Sequence, residues 1–470
     1  MVSDLNPAEG AFLDRLAAVL PPGTLRAPEP RYLDEPRGRY TGRAGAVAVP
    51  SETAQVGAIL AAAQAARVPV LPYGGGTGLV GGQLAGDLPA PLILSLERMA
   101  RIRAVDPVGN TLVAEAGAIL QQVQAAAEGV GRLFPLSLAS EGSARIGGLL
   151  ATNAGGTGVL RWGNARALCL GIEAVTAQGQ VWHGLKGLRK DNAGYDLRDL
   201  IIGSEGTLAV ITAATLRLVP RPARTGAALF VVPSPEAALD LLSAAQAQVG
   251  EGVSAFELIA GQGLRFLAET MPQVRLPFAD PPDWCVLVDL GLGAGQDPEA
   301  ALEELFATGI ATDGLIAASE GQRREFWTVR ETIPLANRKI GAVSNHDISV
   351  PVAAVPEFIA RAGAAVAGLG PFRVNAFGHL GDGNLHYNIF PPPGGTRADH
   401  ESARPGIKRA IHDLVHAMGG SVAAEHGVGR QKVEDLERYA DPVALGMMRA
   451  VKAALDPAGI LNPGSVLRAG

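Results

Sequence analysis

Two short stretches hold side chains that could do chemistry together. The first, Asn375 to Asn388, reads NAFGHLGDGNLHYN and sets His379 and His386 seven apart, with Gly381, Asp382, Gly383 and Asn384 between them. A loop of such small, turn-forming residues can fold back so that its two imidazoles converge. The second stretch, AAEHGVG, supplies Glu425 and, beside it, His426. Two imidazoles and a carboxylate make a three-ligand site for a divalent ion, zinc being the expected one, and leave coordination positions open for a substrate. Taken singly, a His or Glu is more often a structural residue. The argument for a site is their concentration in two Gly-rich loops of a chain that has only eight histidines. Asp382 and Asn384 read as turn-shaping rather than ligating, and His183, His346, His400, His412 and His416 as structural or exposed.

Elements far larger than two loops must position these groups. At 470 residues the chain exceeds one ordinary core, so two or three domains are expected. Hydrophobic residues at 47% and charged residues at 18% describe a well-buried globular protein. A net charge of −6 and a pI near 5.8 argue against nucleic acid as the partner. Cys169 and Cys285 sit in apolar, strand-like runs and read as buried thiols of a reducing compartment. No basic leader precedes an apolar core, and nowhere do eighteen apolar residues run unbroken. A soluble cytoplasmic protein without a transmembrane segment is the expectation.

Along the chain, residues 7–20 suggest a short amphipathic helix stopped by Pro21 and Pro22. A strand at Ala46–Val49, a helix through Arg67 and a strand at Val68–Pro72 follow as a βαβ unit. YGGGTGLVGGQ comes next, Tyr73 to Gln83, dense enough in glycine to turn N–H groups inward as an anion-binding concavity. A nicotinamide-type fingerprint must open a helix, and Gly86, Pro89 and Pro91 leave no room for one before the strand at Leu92–Leu96. Phe134 to Arg166 is a second Gly-rich region with no strong helix pattern, of a length that stays folded by wrapping something. A large planar cofactor with phosphates suits it. A third loop ends in GSEG, Gly203–Gly206, and Pro220-Arg221-Pro222 closes the first half. Residues 225–310 alternate strands with Ala-rich helices in the manner of a ferredoxin-like module. Arg330 follows in a helical pattern, Phe326–Asn337, which Pro334 is expected to break; a strand at His346–Val350 comes after it.

The succession PYGGGTGLVGG, SARIGGLLATNAGG, KDNAGYDLRDLIIGSEGTLAVIT and LDPAGILNPG resembles the FAD-linked oxidases of the vanillyl-alcohol oxidase superfamily. GHLGDGNLHYN together with AAEHGVG resembles its D-2-hydroxyacid dehydrogenase branch, which acts on D-lactate, glycolate and D-2-hydroxyglutarate. The likeness runs from about Arg43 to the end. It implies an α+β fold, with an FAD-binding domain of two α/β subdomains and a C-terminal antiparallel-sheet substrate domain ending in a helical segment. The expected division is a lead-in over 1–41, the FAD domain over 42–220 and the substrate and metal domain over 221–470, whose last part, about 440–470, returns to the flavin. Carried over, the pyrophosphate loop falls on Pro72, Gly74, Gly75, Gly76, Thr77 and Gly78, with Gly81 and Gly82. Further FAD contacts fall on Ser137, Gly142, Ser143, Ile146, Gly147, Asn153, Gly155 and Val159, with Glu205 and Ile211 toward the adenine, and on Asn462. Relatives with covalent flavin attach it through His or Cys. Neither of the first two loops has one, so the FAD is expected to be noncovalent.

Oxidising a 2-hydroxyacid removes a hydroxyl proton and moves the α-hydrogen as hydride to the flavin. The alcohol is very weakly acidic. Zinc lowers the pKa of bound water by about 8 units, and an alcohol on His379, His386 and Glu425 should respond similarly. His426 is then placed to take the proton, and Asn388, on the same face of an extended segment as His386, to donate to the carboxylate. By resemblance, Arg330 grips that carboxylate. Relatives acting on hydroxyglutarate carry a Thr four residues after this Arg and a Lys two before the Asp of the DIS strand. Pro334 and Asn345 stand there in this chain. Loss of the Lys favours a monocarboxylate or a differently shaped hydroxyacid. The implied partners are the small substrate and an external electron acceptor (electron-transfer flavoprotein, cytochrome, quinone or oxygen), and a homodimer by analogy alone. The alternatives are a non-redox transferase like the alkyl-dihydroxyacetone-phosphate synthases, whose run of adjacent histidines is missing here, and a catalytically idle flavin-binding protein.

Overall fold

The structure is a computed structural model that describes residues 4–35, 38 and 41–468. Residues 1–3, 36, 37, 39 and 40 of the expected lead-in, and 469–470 at the far end, lie outside the described residues. Contacts divide the chain into two compact units, the first made of Met1–Gly156, Trp162–Arg221 and Glu425–Gly470, the second of Thr157–Arg161 and Pro222–Ala424.

The first unit holds two main sheets. Strands β1 (Leu25–Arg26), β2 (Ala46–Ala48), β3 (Val70–Tyr73) and β4 (Leu92–Ser95) lie in the order β1-β2-β4-β3, with β4 parallel to both β2 and β3. Their residues alternate between two cores: Ala46, Ala48, Val70, Leu92 and Leu94 face one, while Val47, Leu71 and Ile93 face the other. That double burial is what a parallel sheet requires. The helix Thr53–Ala66 joins β2 to β3, and the chain then passes from β3 to β4 through the Gly-rich turn without a helix, as the sequence indicates. The second sheet orders β5 (Ile102–Asp106), β6 (Thr111–Glu115), β7 (Cys169–Thr176), β8 (Val181–Gly184) and β9 (Ala209–Arg217) as β5-β6-β9-β7-β8, all antiparallel. The second Gly-rich region departs from expectation, because it contains a helix at Ile146–Ala151 and a turn of helix at Val159–Trp162. Ile146, Leu149 and Leu150 are buried in the core beneath that sheet, and such tertiary burial overrides the weak local propensity of IGGLLA.

The second unit is built on one sheet of seven strands: β10 (Arg224–Val231), β11 (Val253–Ala260), β12 (Trp284–Leu292), β13 (Asp313–Ile316), β14 (Ser344–Ser349), β15 (Arg373–His379) and β16 (Asn384–Phe390). Their order is β13-β10-β12-β11-β15-β16-β14, antiparallel throughout. The ferredoxin-like alternation over 225–310 forms part of this larger sheet, since β11 pairs directly with β15. One face packs Phe256, Leu258, Val288, Leu385, Tyr387 and Ile389 against four helices. The other packs Ile259, Leu287 and Phe377 against the helices Gly261–Thr270 and Glu320–Ile340.

Two local expectations change. The helix Glu320–Ile340 runs straight through Pro334. A proline removes the bond to the carbonyl four residues back, here Arg330, at about 3 kcal/mol. Burial of Phe326, Val329, Arg330, Ile333, Ala336 and Asn337 on the inner face outweighs that. The stretch 375–388 is mostly strand, not loop: β15 and β16 form a hairpin closed by a single turn, Leu380–Asp382, and Gly383 at φ 69°. A Cβ on Gly383 would lie 2.1 Å from the Val350 carbonyl oxygen, so only glycine closes this turn. Among the described residues no helix is long and apolar enough to cross a membrane.

Candidate active site

In the first unit the turn after β3, the helix Ile146–Ala151 and the start of β9 surround an open cavity. Its walls are glycine backbone and apolar side chains, Leu96, Ala116, Leu149 and Val210 among them. The glycines are there because two Gly-rich segments meet backbone to backbone: a Cβ on Gly75 would sit 2.2 Å from the Ser143 carbonyl oxygen, and one on Gly74 3.3 Å from Gly148 Cα. A wall in which exposed backbone N–H groups lie beside apolar side chains fits a phosphate chain joined to a flat ring.

Of the residues proposed to contact FAD, Pro72, Gly74, Gly75, Gly76, Thr77, Gly78, Gly82, Gly147, Glu205, Ile211 and Asn462 line this cavity. Gly81, Ser137, Gly142, Ser143, Ile146, Asn153 and Gly155 are not among the lining residues. Ser137 Oγ donates to Glu141 at 2.5 Å, Asn153 Oδ1 accepts from the Arg166 amide at 3.0 Å, and Ile146 is core. Val159 belongs to the second unit.

The C-terminal segment of the first unit adds His426 to the cavity wall. Glu205 holds the loop that carries it. The Val428 and Gly429 amides donate to its two carboxylate oxygens at 2.8 Å each, and Asn462 Nδ2 donates to its carbonyl at 2.9 Å. Burial pushes the Glu205 carboxyl above the ordinary range, opposed by those two amides. Arg430, which the sequence reading missed, ties the same region together. It donates to the carbonyls of Gly81 at 3.2 Å, Gly82 at 2.9 Å and Pro463 at 2.9 Å, and to Asn462 Oδ1 at 2.9 Å. Glu425 Oε1 lies 3.5 Å from His426 Nε2.

In the second unit, the sheet face beneath the helix Glu320–Ile340 turns from apolar to polar at β15, β16 and β14. Two-residue periodicity puts Asn375, Phe377 and His379 of β15 on this face, and the registers Phe377↔His386, Asn388↔Asn345 and His386↔Asp347 bring in β16 and β14. The His379 and His386 ring centroids are 5.8 Å apart, so the hairpin does bring the two imidazoles together. Asp347 Oδ1 lies 3.9 Å from His386 Nδ1, and Asn384 Nδ2 donates to it at 3.1 Å. Asn388 Oδ1 accepts from the His346 amide at 3.2 Å. His412 is buried edge-on against His346, their centroids 5.1 Å apart, as structural histidines are. Ala424 N donates to the Asp347 carbonyl at 3.4 Å, and the residue after it, Glu425, opens the last segment of the first unit.

The centre of this polar face is a residue that the sequence reading did not single out. Glu257 on β11 is 1% exposed. Its Oε2 accepts from Arg330 Nε at 2.8 Å and Nη2 at 2.7 Å, and its Oε1 lies 2.6 Å from His379 Nδ1. Burial alone would raise its pKa, but the contacts from His379 and Arg330 more than offset this and hold the carboxyl at about 2. Arg330 also lies over the Phe377 ring, 4.8 Å from its centroid. The signal in the sequence was the lone acid in the apolar run SAFELIA, since an unpaired carboxylate is almost never fully buried.

Comparison with known proteins agrees with both units. The family described as FAD binding domain matches residues 44–184, and that described as FAD linked oxidases, C-terminal domain, matches 221–466. A D-2-hydroxyglutarate dehydrogenase of Xanthomonas citri pv. viticola is 35% identical over 432 residues, covering 91% of this chain and 90% of that one. The mitochondrial D-2-hydroxyglutarate dehydrogenase of Bos taurus is 37% identical over 429 residues, covering 89% and 76%. In fold, p-cresol methylhydroxylase aligns at TM-score 0.77 and 14% identity over 99% of each chain. Alkyldihydroxyacetonephosphate synthase aligns at TM-score 0.71 and 16% identity over 98% of this chain and 87% of that one. The chain belongs to the FAD-linked oxidases, in their D-2-hydroxyacid dehydrogenase branch.

Proposed function

We propose that the chain oxidises a D-2-hydroxyacid to the 2-oxoacid with noncovalent FAD, and that His379, His386 and Glu425 hold a divalent ion, zinc being the expected one. The observation that carries this is the buried pairing of His379 and Arg330 on one glutamate, with His386 alongside. A metal-binding imidazole is commonly held by a carboxylate on its other nitrogen. When bound, FAD supplies the acceptor for the substrate's α-hydrogen, and the ion supplies a Lewis acid that makes the hydroxyl more acidic.

The chain's own residues do the rest. His426, on the wall of the cofactor cavity, takes the hydroxyl proton. Asn388 has its amide oxygen held by the His346 N–H, which leaves the NH₂ end to donate to the substrate carboxylate. Arg330 has Nε and Nη2 on Glu257, and its remaining N–H groups serve the same carboxylate. Asn345 faces the same side as His386, by its pairing with Asn388. Its neutral amide there supports a monocarboxylate or a differently shaped acid over hydroxyglutarate. Electrons leave to an external acceptor. Cys169 and Cys285, both free and buried, suit the cytoplasm.

The test is anaerobic mixing with a panel of D- and L-2-hydroxyacids while the flavin absorbance is followed. Bleaching by a D-acid with a single carboxylate is expected. Bleaching by L-acids alone, or by none, would contradict the assignment. Acid denaturation should release all the yellow colour from the polypeptide; retained colour would contradict a noncovalent flavin.

A further inference from the structure

We infer that Glu257 is a positioning residue that decides which ring nitrogen of His379 carries the proton and, with the same carboxylate, aims Arg330. The inference rests on the metal reading above and deepens it. An ionised carboxylate has acceptors only. With Oε2 taken by two N–H groups of Arg330, Oε1 at 2.6 Å can only accept from His379 Nδ1. The proton is thereby fixed on Nδ1, and Nε2 is the nitrogen that keeps a lone pair for a metal.

The geometry makes the choice strict because the groups sit on three separate elements: β11, the end of β15 and the helix Glu320–Ile340. All three side chains are buried, Glu257 at 1%, Arg330 at 5% and His379 at 7% exposure. Arg330 cannot leave its partner without stranding a charge. It is also fixed from the other side by the Phe377 ring. The metal ligand and the carboxylate clamp are therefore set by one residue, and disturbing either contact disturbs the other.

A specific consequence follows for Glu257→Gln. A guanidinium offers donors only, so the new amide turns its oxygen to Arg330 and its NH₂ to His379. That NH₂ donates to Nδ1 and drives the ring proton to Nε2, the atom the metal needs. In Glu257→Gln/Arg330→Met the guanidinium is gone, so the amide oxygen can turn back to His379 and the tautomer is restored.

Zinc affinity of the metal-depleted, FAD-loaded full chain, measured by chelator competition, tests this. Glu257→Gln is expected to bind zinc on the order of 10- to 100-fold more weakly, the usual effect of losing an orienting partner. The double variant is expected to return to within about threefold of the unaltered chain while its KM stays raised for want of Arg330. A merely structural role predicts no such rescue. Equal affinity in the single variant, or a double variant as weak as the single one, would overturn the inference and leave the metal reading intact. Zinc binding that survives His386→Ala, or none in the unaltered chain, would overturn both. If the single variant does not fold, the double variant, which buries no charge, carries the test alone.

Discussion

Each unit of this protein has one glutamate at its site, half-buried in the first and buried in the second, and the two are held in opposite ways. Glu205 in the first unit meets neutral backbone amides, from Val428 and Gly429. Glu257 in the second lies between Arg330 and His379. Burial is the largest influence on both carboxyls and raises both. Amides only partly oppose it, so the Glu205 carboxyl stays above the ordinary range; Arg330 and His379 together reverse it, and Glu257 falls to about 2. On the proposed function, each half recognises its ligand by a different means. The cofactor cavity is shaped by backbone, with glycines where chains touch, and its glutamate clasps a loop. The polar face is shaped by side chains, and its glutamate orients two of them.

The comparison can be broken by substitution. The largest loss is expected for Glu257→Ala, which leaves a buried guanidinium without its partner, at about 3–5 kcal/mol by urea unfolding. Glu205→Ala leaves two amides unsatisfied and should cost less, about 1–3 kcal/mol. A larger cost at Glu205 would reverse the reading. On the cavity side, His426→Gln should lower kcat on the order of 10²- to 10⁴-fold while flavin is retained. Loss of flavin together with activity would make His426 a scaffold residue instead. Gly75→Ala should destabilise the first unit by about 1–3 kcal/mol and release FAD, because the new Cβ meets a carbonyl oxygen that is itself backbone. Full flavin content in that variant would contradict the backbone-to-backbone account.

The smallest effect is in pH, and here the two glutamates have opposite signs. Glu257 has a lowered folded-state pKa, so its contribution is present above the ordinary value of 4.5 and is lost as the pH falls toward about 2. Glu205 has a raised one, so its contribution is present below 4.5 and is lost as the pH rises through the folded-state value. Hydrogen exchange between pH 5 and 3, corrected for intrinsic rates, should show β11 losing protection on acidification while the 427–429 loop gains it. Parallel behaviour of the two segments would remove the contrast.

How far the sequence could be read follows the same division. Backbone recognition leaves a compositional trace, and the turn at Gly74–Gly78 with no crossover helix behind it was legible from glycine and proline positions alone. The antiparallel sheet and the pairing of His379 with His386 were legible too, although the connecting stretch is a hairpin rather than a loop. Glu257 was hidden because its partners are 73 and 122 residues away, and strand order across a sheet has no local signature. Arg430 escaped for the same reason, lying 349 residues from the Gly81 carbonyl it binds. Pro334 misled because one lost hydrogen bond was set against six buried residues whose packing only the fold reveals.

The most direct test of the central claim is anaerobic flavin reduction by the best D-2-hydroxyacid, before and after chelation and again after zinc is restored. Reduction that disappears with chelation, returns with zinc, and never appears in His386→Ala is the expected result. Reduction at an unchanged rate in the chelated protein would contradict it.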